Sequence, residues 1–511
     1  MEAVTTAGPA TSRHGAAGAV AEFARRPVAL LAAGTAAVLL ATAGRYGYFG
    51  DELYFLAAGK HLAWGYADQP PVLPLLARLA DTIAPGSLVA FRVPAILATA
   101  AAVVVTALIA RELGGGRKAQ TRAAAAYAIC GQFVGSGHYL ATSTIDPLFW
   151  TLVLWLLVRW LRTRDDNLLL WLGVVTAVGL NVKFLIGAFW AITAVTALVF
   201  GPRELLRRPK LWAGAGIAAL ACVPTLGWQS FNGWPQLGMG DAVAREVTEA
   251  GGRAGFLPAL LAGAGLVIGA LGVLYGLGVL LGAPGLRPYR FLGWTTIGVV
   301  ALFLVANGRF YYAAGMFPIL WAAAAVHLEG RRLALWWRWV PTWPVFVLSA
   351  LYSLPYALPV WPVQWLVEHP EAPHPAYATE EVGWPDLAES VAGVYRLLPP
   401  EERSHTALIT AGYWAGGALD RYGPEFGLPE AYSGSRGLWY FGRPADSADA
   451  VLFVGADPAN LAPHFRSARI IGRVENHLGV PNASEHLPIW LLTGRTETWS
   501  VLWPQQKDLK A

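Results

Sequence analysis

The sequence predicts a polytopic α-helical membrane protein with a small α/β domain at its C-terminal end. Three observations carry this. Of 511 residues, 55% are hydrophobic and only 14% are Asp, Glu, Lys or Arg, against about 25% charged residues in an ordinary soluble domain. Apolar runs near the roughly 20 residues that cross a bilayer recur along the first two thirds of the chain. Near residue 360 they give way to short strands, an amphipathic helix and Gly/Pro turns. This composition excludes a disordered chain, a disulfide scaffold and a plain cytosolic enzyme.

Residues 1–26 are Ala/Gly-rich, carry Arg13, Arg25 and Arg26, and read as a cytoplasmic tail. The apolar run that follows lacks a small-residue cleavage site, so a signal peptide is not expected. Residues 27–359 form the membrane domain, with eleven expected spans at 27–44, 88–110, 123–140, 147–161, 167–181, 184–200, 211–228, 256–282, 291–306, 313–328 and 339–358. With a cytoplasmic N-terminus, the inner segments hold 19 Lys/Arg and the outer loops 7. Basic residues favour the cytoplasmic side, so this orientation is expected, in the plasma membrane. An odd number of spans then puts residues 360–511 outside.

That exterior segment has 18 acids against 11 Lys/Arg. Leu387, Val391, Val394, Tyr395 and Leu398 follow helical spacing after Pro385-Asp386. Residues 407–410, 450–454 and 489–492 read as buried strands, with turns at Gly427-Leu-Pro429 and Gly442-Arg-Pro444. Asn482-Ala-Ser484 matches a glycosylation acceptor. Cys130 and Cys222 lie in separate apolar runs and read as buried thiols. There is no Walker loop, dinucleotide fingerprint or zinc-protease motif, and no nucleic-acid partner is expected.

Charge is costly in a membrane, so its placement is informative. The outer loops hold Asp51, Glu52, Asp68, Asp81, Asp146, Asp241, Glu246 and Glu249. After Gly50, residues Leu53, Leu56, Ala57 and Trp64 suit one face of a helix lying on the membrane. Asp51 reads either as the cap of that helix or, with its neighbour Glu52, as a base or metal ligand. Asp68-Gln-Pro-Pro71 reads as a turn into a helix, and Asp146-Pro147 as an N-cap with proline at the first helical position. Lys183 and Arg309, at outer boundaries, suit either snorkelling or a phosphate contact. Arg92 lies inside the second span, where a guanidinium needs a carboxylate or phosphate partner.

Taken in order, Gly50-Asp51-Glu52, Asp68-Gln-Pro-Pro71, Thr144-Ile-Asp146-Pro147, Gly179-Leu-Asn-Val-Lys183 and Gly308-Arg-Phe-Tyr311-Tyr312 resemble glycosyltransferase family 39. These are GT-C membrane transferases related to protein O-mannosyltransferases and the lipid A aminoarabinose transferase. The resemblance covers about residues 27–360. Val382-Gly-Trp-Pro385, Ala411-Gly-Tyr413 and Gly427-Leu-Pro429 are similar to the exterior domain of bacterial members.

The resemblance implies transfer of a sugar from a polyprenyl-phosphate donor to an acceptor hydroxyl at the outer membrane face, within the outer loop 45–87. Asp51 matches the base, with Glu52 and Asp146 as further catalytic acids. Lys183, Arg309 and Arg92 are the candidates to hold the donor phosphate. Asp68, Gln69, His138, Tyr311 and Tyr312 are the substrate-contacting positions. Many relatives carry Lys or His where this chain has the neutral Gln69. A carboxylate base and an anionic leaving group fit an inverting single displacement. The chemistry requires no cofactor and admits a divalent metal on Asp51 and Glu52. Protein, lipid and glycan acceptors all fit. The alternatives are a polytopic transporter or lipid flippase, which calls for intramembrane acids and repeated halves, and a non-catalytic assembly protein.

Overall fold

The computed structural model describes residues 20–329, 331–369, 371–375 and 377–509. Residues 1–19 of the expected tail lie outside the described residues. The apolar runs fold as helices because backbone polar groups in lipid must be satisfied within the segment. In order these are α1 (Arg25–Thr42), α2 (Gly50–Lys60), α3 (Val72–Ile83), α4 (Leu88–Glu112), α5 (Arg117–Ala128), α6 (Gly131–Gly137), α7 (Thr142–Thr163), α8 (Asn167–Val182) and α9 (Leu185–Phe200). They continue as α10 (Pro209–Phe231), α11 (Pro235–Glu249), α12 (Phe256–Ala264), α13 (Ile268–Gly282), α14 (Arg290–Val305), α15 (Phe317–Glu329) and α16 (Trp343–Ala357). Leu30, Leu97, Trp171, Val195, Leu220 and Phe231 are large, apolar and exposed, which suits lipid and not water.

Among the described residues, six stretches are long and apolar enough to cross a membrane. A seventh is the bent pair Gly252–Ala264 and Ile268–Gly282, which meet at 107°. Eleven full spans were expected, and two of them differ for clear local reasons. The stretch 123–140 breaks at Ile129-Cys130, the two residues between α5 and the short α6. The stretch 256–282 turns at Gly265, whose φ of +100° suits only glycine. Hydropathy sees apolar content, not direction, so such turns are invisible to it. Helices α8 and α9 have 16 residues each, about 24 Å long against a bilayer core of about 30 Å. Cys130 and Cys222 are both buried and unpaired, as expected.

At one end of the bundle Glu329, closing α15, accepts the N–H groups of Gly116, Lys118 and Ala119 and so caps α5. Arg162 of α7 pairs with the buried Glu112 of α4 at 2.6 Å. The C-terminal domain, called exterior here after its expected side of the membrane, lies at the end where α1 leads into α2.

After the short α17 (Val363–Glu368), the exterior domain is built on α18 (Trp384–Leu397), α19 (Pro400–Ser404) and α20 (Tyr413–Tyr422) around one five-stranded sheet. Its strands are β1 (Thr406–Thr410), β2 (Ala431–Ser433), β3 (Ala450–Val454), β4 (Phe465–Arg473) and β5 (Pro488–Arg495), in the order β2-β1-β3-β5-β4. β1 pairs in parallel with β2 and β3, and β5 runs antiparallel to β3 and β4. β1 and β3 are buried along their whole length, the usual state of strands covered on both faces. The three strands read from apolar runs are present. β2 has three residues and β4 is largely exposed, so neither has an apolar signature. In α18, Leu387 and Val391 are buried against the sheet as their spacing required.

Two expectations about helix placement change. α2 does not lie on the membrane with one apolar face. Leu53, Tyr54, Phe55, Leu56, Ala57 and Ala58 are all buried, because α20 packs over the helix from above. The two backbones touch: a Cβ on Gly417 would sit 2.8 Å from the Leu53 carbonyl carbon. Trp64 lies beyond the helix and is exposed. Asp146-Pro147 is not an N-cap, since α7 begins at Thr142, four residues before Asp146, and Asp146 is buried inside its second turn. The side-chain amide of Asn482 donates to the Val382 carbonyl at 2.7 Å, which ties this asparagine into a loop contact.

Candidate active site

A cavity of about 490 Å³ lies between the membrane domain and the exterior domain, within the roughly 300–1,000 Å³ of small-molecule sites. It collects Asp51, Asp68, Gln69, His138, Lys183, Arg309, Tyr311 and Tyr312 from the membrane domain. These residues sit at helix ends and breaks on one side of the bundle, and that is what brings them together. Lys183 occupies the extended break between α8 and α9. Its ammonium stands 4.5 Å from the Tyr312 ring centre and 5.6 Å from that of Tyr311, a cation–π contact that holds it near the cavity. Arg309 precedes a short 3-10 turn, Phe310–Met316, and pairs with Glu246 of α11.

Asp51 sits in the first turn of α2, where a carboxylate is favoured by the helix dipole. Its Oδ1 accepts hydrogen bonds from the Tyr413 hydroxyl at 2.7 Å and the Trp414 Nε1 at 2.9 Å. Both donors open α20 of the exterior domain. Burial pushes the Tyr413 phenol well above its ordinary value, with Arg436 opposing and Asp51 adding to the shift. It therefore stays protonated and can only donate to Asp51. Gly50 allows this approach, since a Cβ there would meet the Trp414 ring at 2.2 Å. Asp68 accepts from Tyr54 at 2.7 Å. Burial raises its carboxyl above the usual range while Arg436 pulls it down.

Glu52 and Arg92 do not line this cavity. Adjacent residues on a helix point about 100° apart, so Glu52 faces inward while Asp51 faces the cavity. Arg92 Nε and Nη2 meet the two Glu52 oxygens at 3.0 and 2.7 Å, and both side chains are fully buried. Glu52 also accepts from the Phe49 and Leu140 N–H groups. Arg92 further donates to the Ala43 and Gly47 carbonyls and to Glu381 of the exterior segment. Arg92 has found its carboxylates in Glu52 and Glu381, and the network joins the two domains. Both Glu52 oxygens are engaged in the same network. His138 reaches both the cavity and this network: its Nε2 lies 2.9 Å from Arg92 Nη1 and 3.0 Å from Glu381. Asp146 faces a smaller cleft that shares Lys183, Tyr311 and Tyr312 with the main cavity. A grouping with metal-ligand chemistry, Asp386, Glu389 and His477, lies on the exterior domain and includes neither Asp51 nor Glu52.

The sequence reading missed Tyr413 and Trp414 as partners of Asp51, together with Tyr377, Glu381 and Arg436, all from the exterior domain and all lining the cavity. Tyr413 and Trp414 follow the carboxyl end of β1 and Arg436 that of β2, where α/β sheets place their ligands; β1 is legible as an apolar run, and the three-residue β2 is not.

Residues 68–228 match the family model of dolichyl-phosphate-mannose-protein mannosyltransferases. That stretch holds Asp68, Gln69, Asp146 and Lys183. No curated protein matches the sequence. The fold is similar to ArnT from Cupriavidus metallidurans in the apo state, with a TM-score of 0.59 at 16% identity over 91% of this chain and 97% of that one. The same protein bound to undecaprenyl phosphate gives a TM-score of 0.54, at 16% identity and the same coverage of both chains. The arabinofuranosyltransferase AftD from Mycobacteria gives 0.51 at 14% identity, over 93% of this chain and 40% of that one. The match in fold and the family model over part of the chain agree with the resemblance drawn from the sequence: this chain is a multi-pass membrane protein with an ArnT-like GT-C fold.

Proposed function

We propose that the protein transfers a sugar from a polyprenyl-phosphate donor to an acceptor hydroxyl, by a single inverting displacement with Asp51 as base. One observation carries the reading: a carboxylate oriented by two donors shares a cavity with Lys183, Arg309 and Arg436. The acceptor oxygen attacks the anomeric carbon, and the bond from that carbon to the phosphate oxygen breaks with its electron pair. The acceptor proton goes to Asp51. Both of the carboxylate's bonds fall on Oδ1, so Oδ2 is the oxygen to take it. The leaving phosphate is already anionic and needs cations more than a general acid, which Lys183 and Arg309 supply. Asp146 lines the neighbouring cleft together with Lys183, and Tyr311 and Tyr312 form the surface beneath the Lys183 ammonium.

The donor class is supported by the undecaprenyl phosphate bound to ArnT. The exterior domain faces away from the cytoplasm in this reading, and an alkaline phosphatase fused after residue 511 is expected to be active; an inactive but intact fusion reverses the topology. The direct test is transfer by the purified chain in lipid vesicles loaded with a polyprenyl-phosphate sugar. Lys183→Ala is expected to raise the KM for the donor about tenfold, since a hydrogen bond to a charged group is lost. An unchanged KM would remove Lys183 from the phosphate site.

A further inference from the structure

The cavity's arginines converge on one carboxylate. Glu246, near the end of α11, pairs with Arg309 through one oxygen and with Arg436 through the other, the latter at 3.0 Å. Arg309 belongs to the membrane domain and Arg436 to the exterior domain. Arg436 is held in an unusual way. Its φ is +49°, in the left-handed region that side chains avoid unless their surroundings impose it. Here the Asp508 carbonyl fixes its backbone N–H at 2.6 Å. The guanidinium lies 4.3 Å from the Tyr413 ring centre, and the side chain is 11% exposed. Its Nε has no hydrogen-bond partner among the described residues. A buried guanidinium with an unspent donor, imposed on a strained backbone at a cavity wall, is built to receive an anion.

We propose that Arg309 and Arg436 together receive the phosphate of the lipid donor, and that Glu246 fills this site until the phosphate displaces it. The inference rests on the polyprenyl-phosphate reading above. Two guanidinium forks match phosphate oxygens in paired hydrogen bonds. Exchanging a carboxylate for a phosphodiester keeps the net charge of the site, so neither arginine is left uncompensated. α11 buries only Pro235, Met239 and Ala242, so Glu246 can withdraw without unpacking a core. The donor thereby bridges the two domains through its phosphate.

The test uses the full chain in lipid nanodiscs, with a short-chain polyprenyl phosphate as probe and the matching polyprenol as its uncharged control. Arg436→Gln is expected to weaken phosphate binding about ten- to a hundredfold, with polyprenol binding unchanged. Arg436→Lys recovers part of the loss, because it keeps the charge but not the fork. Glu246→Gln is expected to tighten phosphate binding about fivefold, since the competitor is gone. If Arg436→Gln binds like the wild type while Arg309→Gln does not, Arg436 leaves the site and the donor reading stands. If the wild type does not prefer the phosphate to the polyprenol, both fall. If Arg436→Gln fails to fold, unchanged or weaker binding by Glu246→Gln overturns the proposal. Equal competition by inorganic phosphate would assign the site to a free anion and overturn it too.

Discussion

Asp51→Asn is expected to leave a folded membrane protein whose transfer rate falls roughly 10²- to 10⁴-fold, the usual contribution of a positioned base. The substitution is nearly isosteric. The amide oxygen can still accept from Tyr413 and Trp414, which now donate at 2.7 and 2.9 Å, so the contact between α2 and α20 survives. What is lost is an oxygen able to take a proton. The loss should therefore appear in kcat, with donor binding close to wild type. Tyr413→Phe separates positioning from chemistry: it removes one of the two donors that orient Oδ1 and leaves the base in place, so kcat should fall less than in Asp51→Asn. Purified Asp51→Asn protein retaining more than a tenth of the activity would end the case for Asp51 as base.

Arg92→Ala should have the largest effect on stability. It leaves Glu52 and Glu381 buried with no opposing charge, where Arg92 now meets them at 2.7 and 3.2 Å. Breaking a buried pair in this way costs about 3–5 kcal/mol. The Ala43 and Gly47 carbonyls lose their donor as well. Because Glu381 belongs to the exterior segment, the damage falls on the joint between domains, and low yield with a lowered unfolding midpoint in detergent is expected. Adding Glu52→Gln to Arg92→Ala removes one stranded charge and should recover part of the midpoint. An Arg92→Ala protein as stable as the wild type would show that the network contributes nothing net.

The sequence revealed one half of the site better than the other, for a physical reason. Charge is so unfavourable in lipid that each exception needs a purpose, which picked out Asp51, Asp68, Lys183 and Arg309, and the cavity holds all four. The same scarcity could not tell a site residue from a fastener: Glu52 and Arg92 are equally rare, yet they secure each other. In the exterior domain charge is cheap, so Arg436 is one arginine among several. Its role depends on a backbone conformation and on a partner, Glu246, 190 residues away. Length and hydropathy likewise located the apolar helices but not the turn at Gly265 or the break at Cys130. Tyr413 was visible only as part of a family motif, since nothing in local sequence says that it will meet Asp51, 362 residues earlier.

The meeting of Trp414 and Tyr413 with Asp51 has a consequence for biogenesis. The chain emerges N-terminus first, so Asp51 enters the membrane long before the strands that carry its partners are made. During that interval the carboxylate has no orienting donors and the cavity has no roof. Asp508, whose carbonyl sets the backbone of Arg436, is made later still. Assembly of the proposed site thus waits for the segments that follow the membrane domain, and a product cut short before them would sit in the membrane inert.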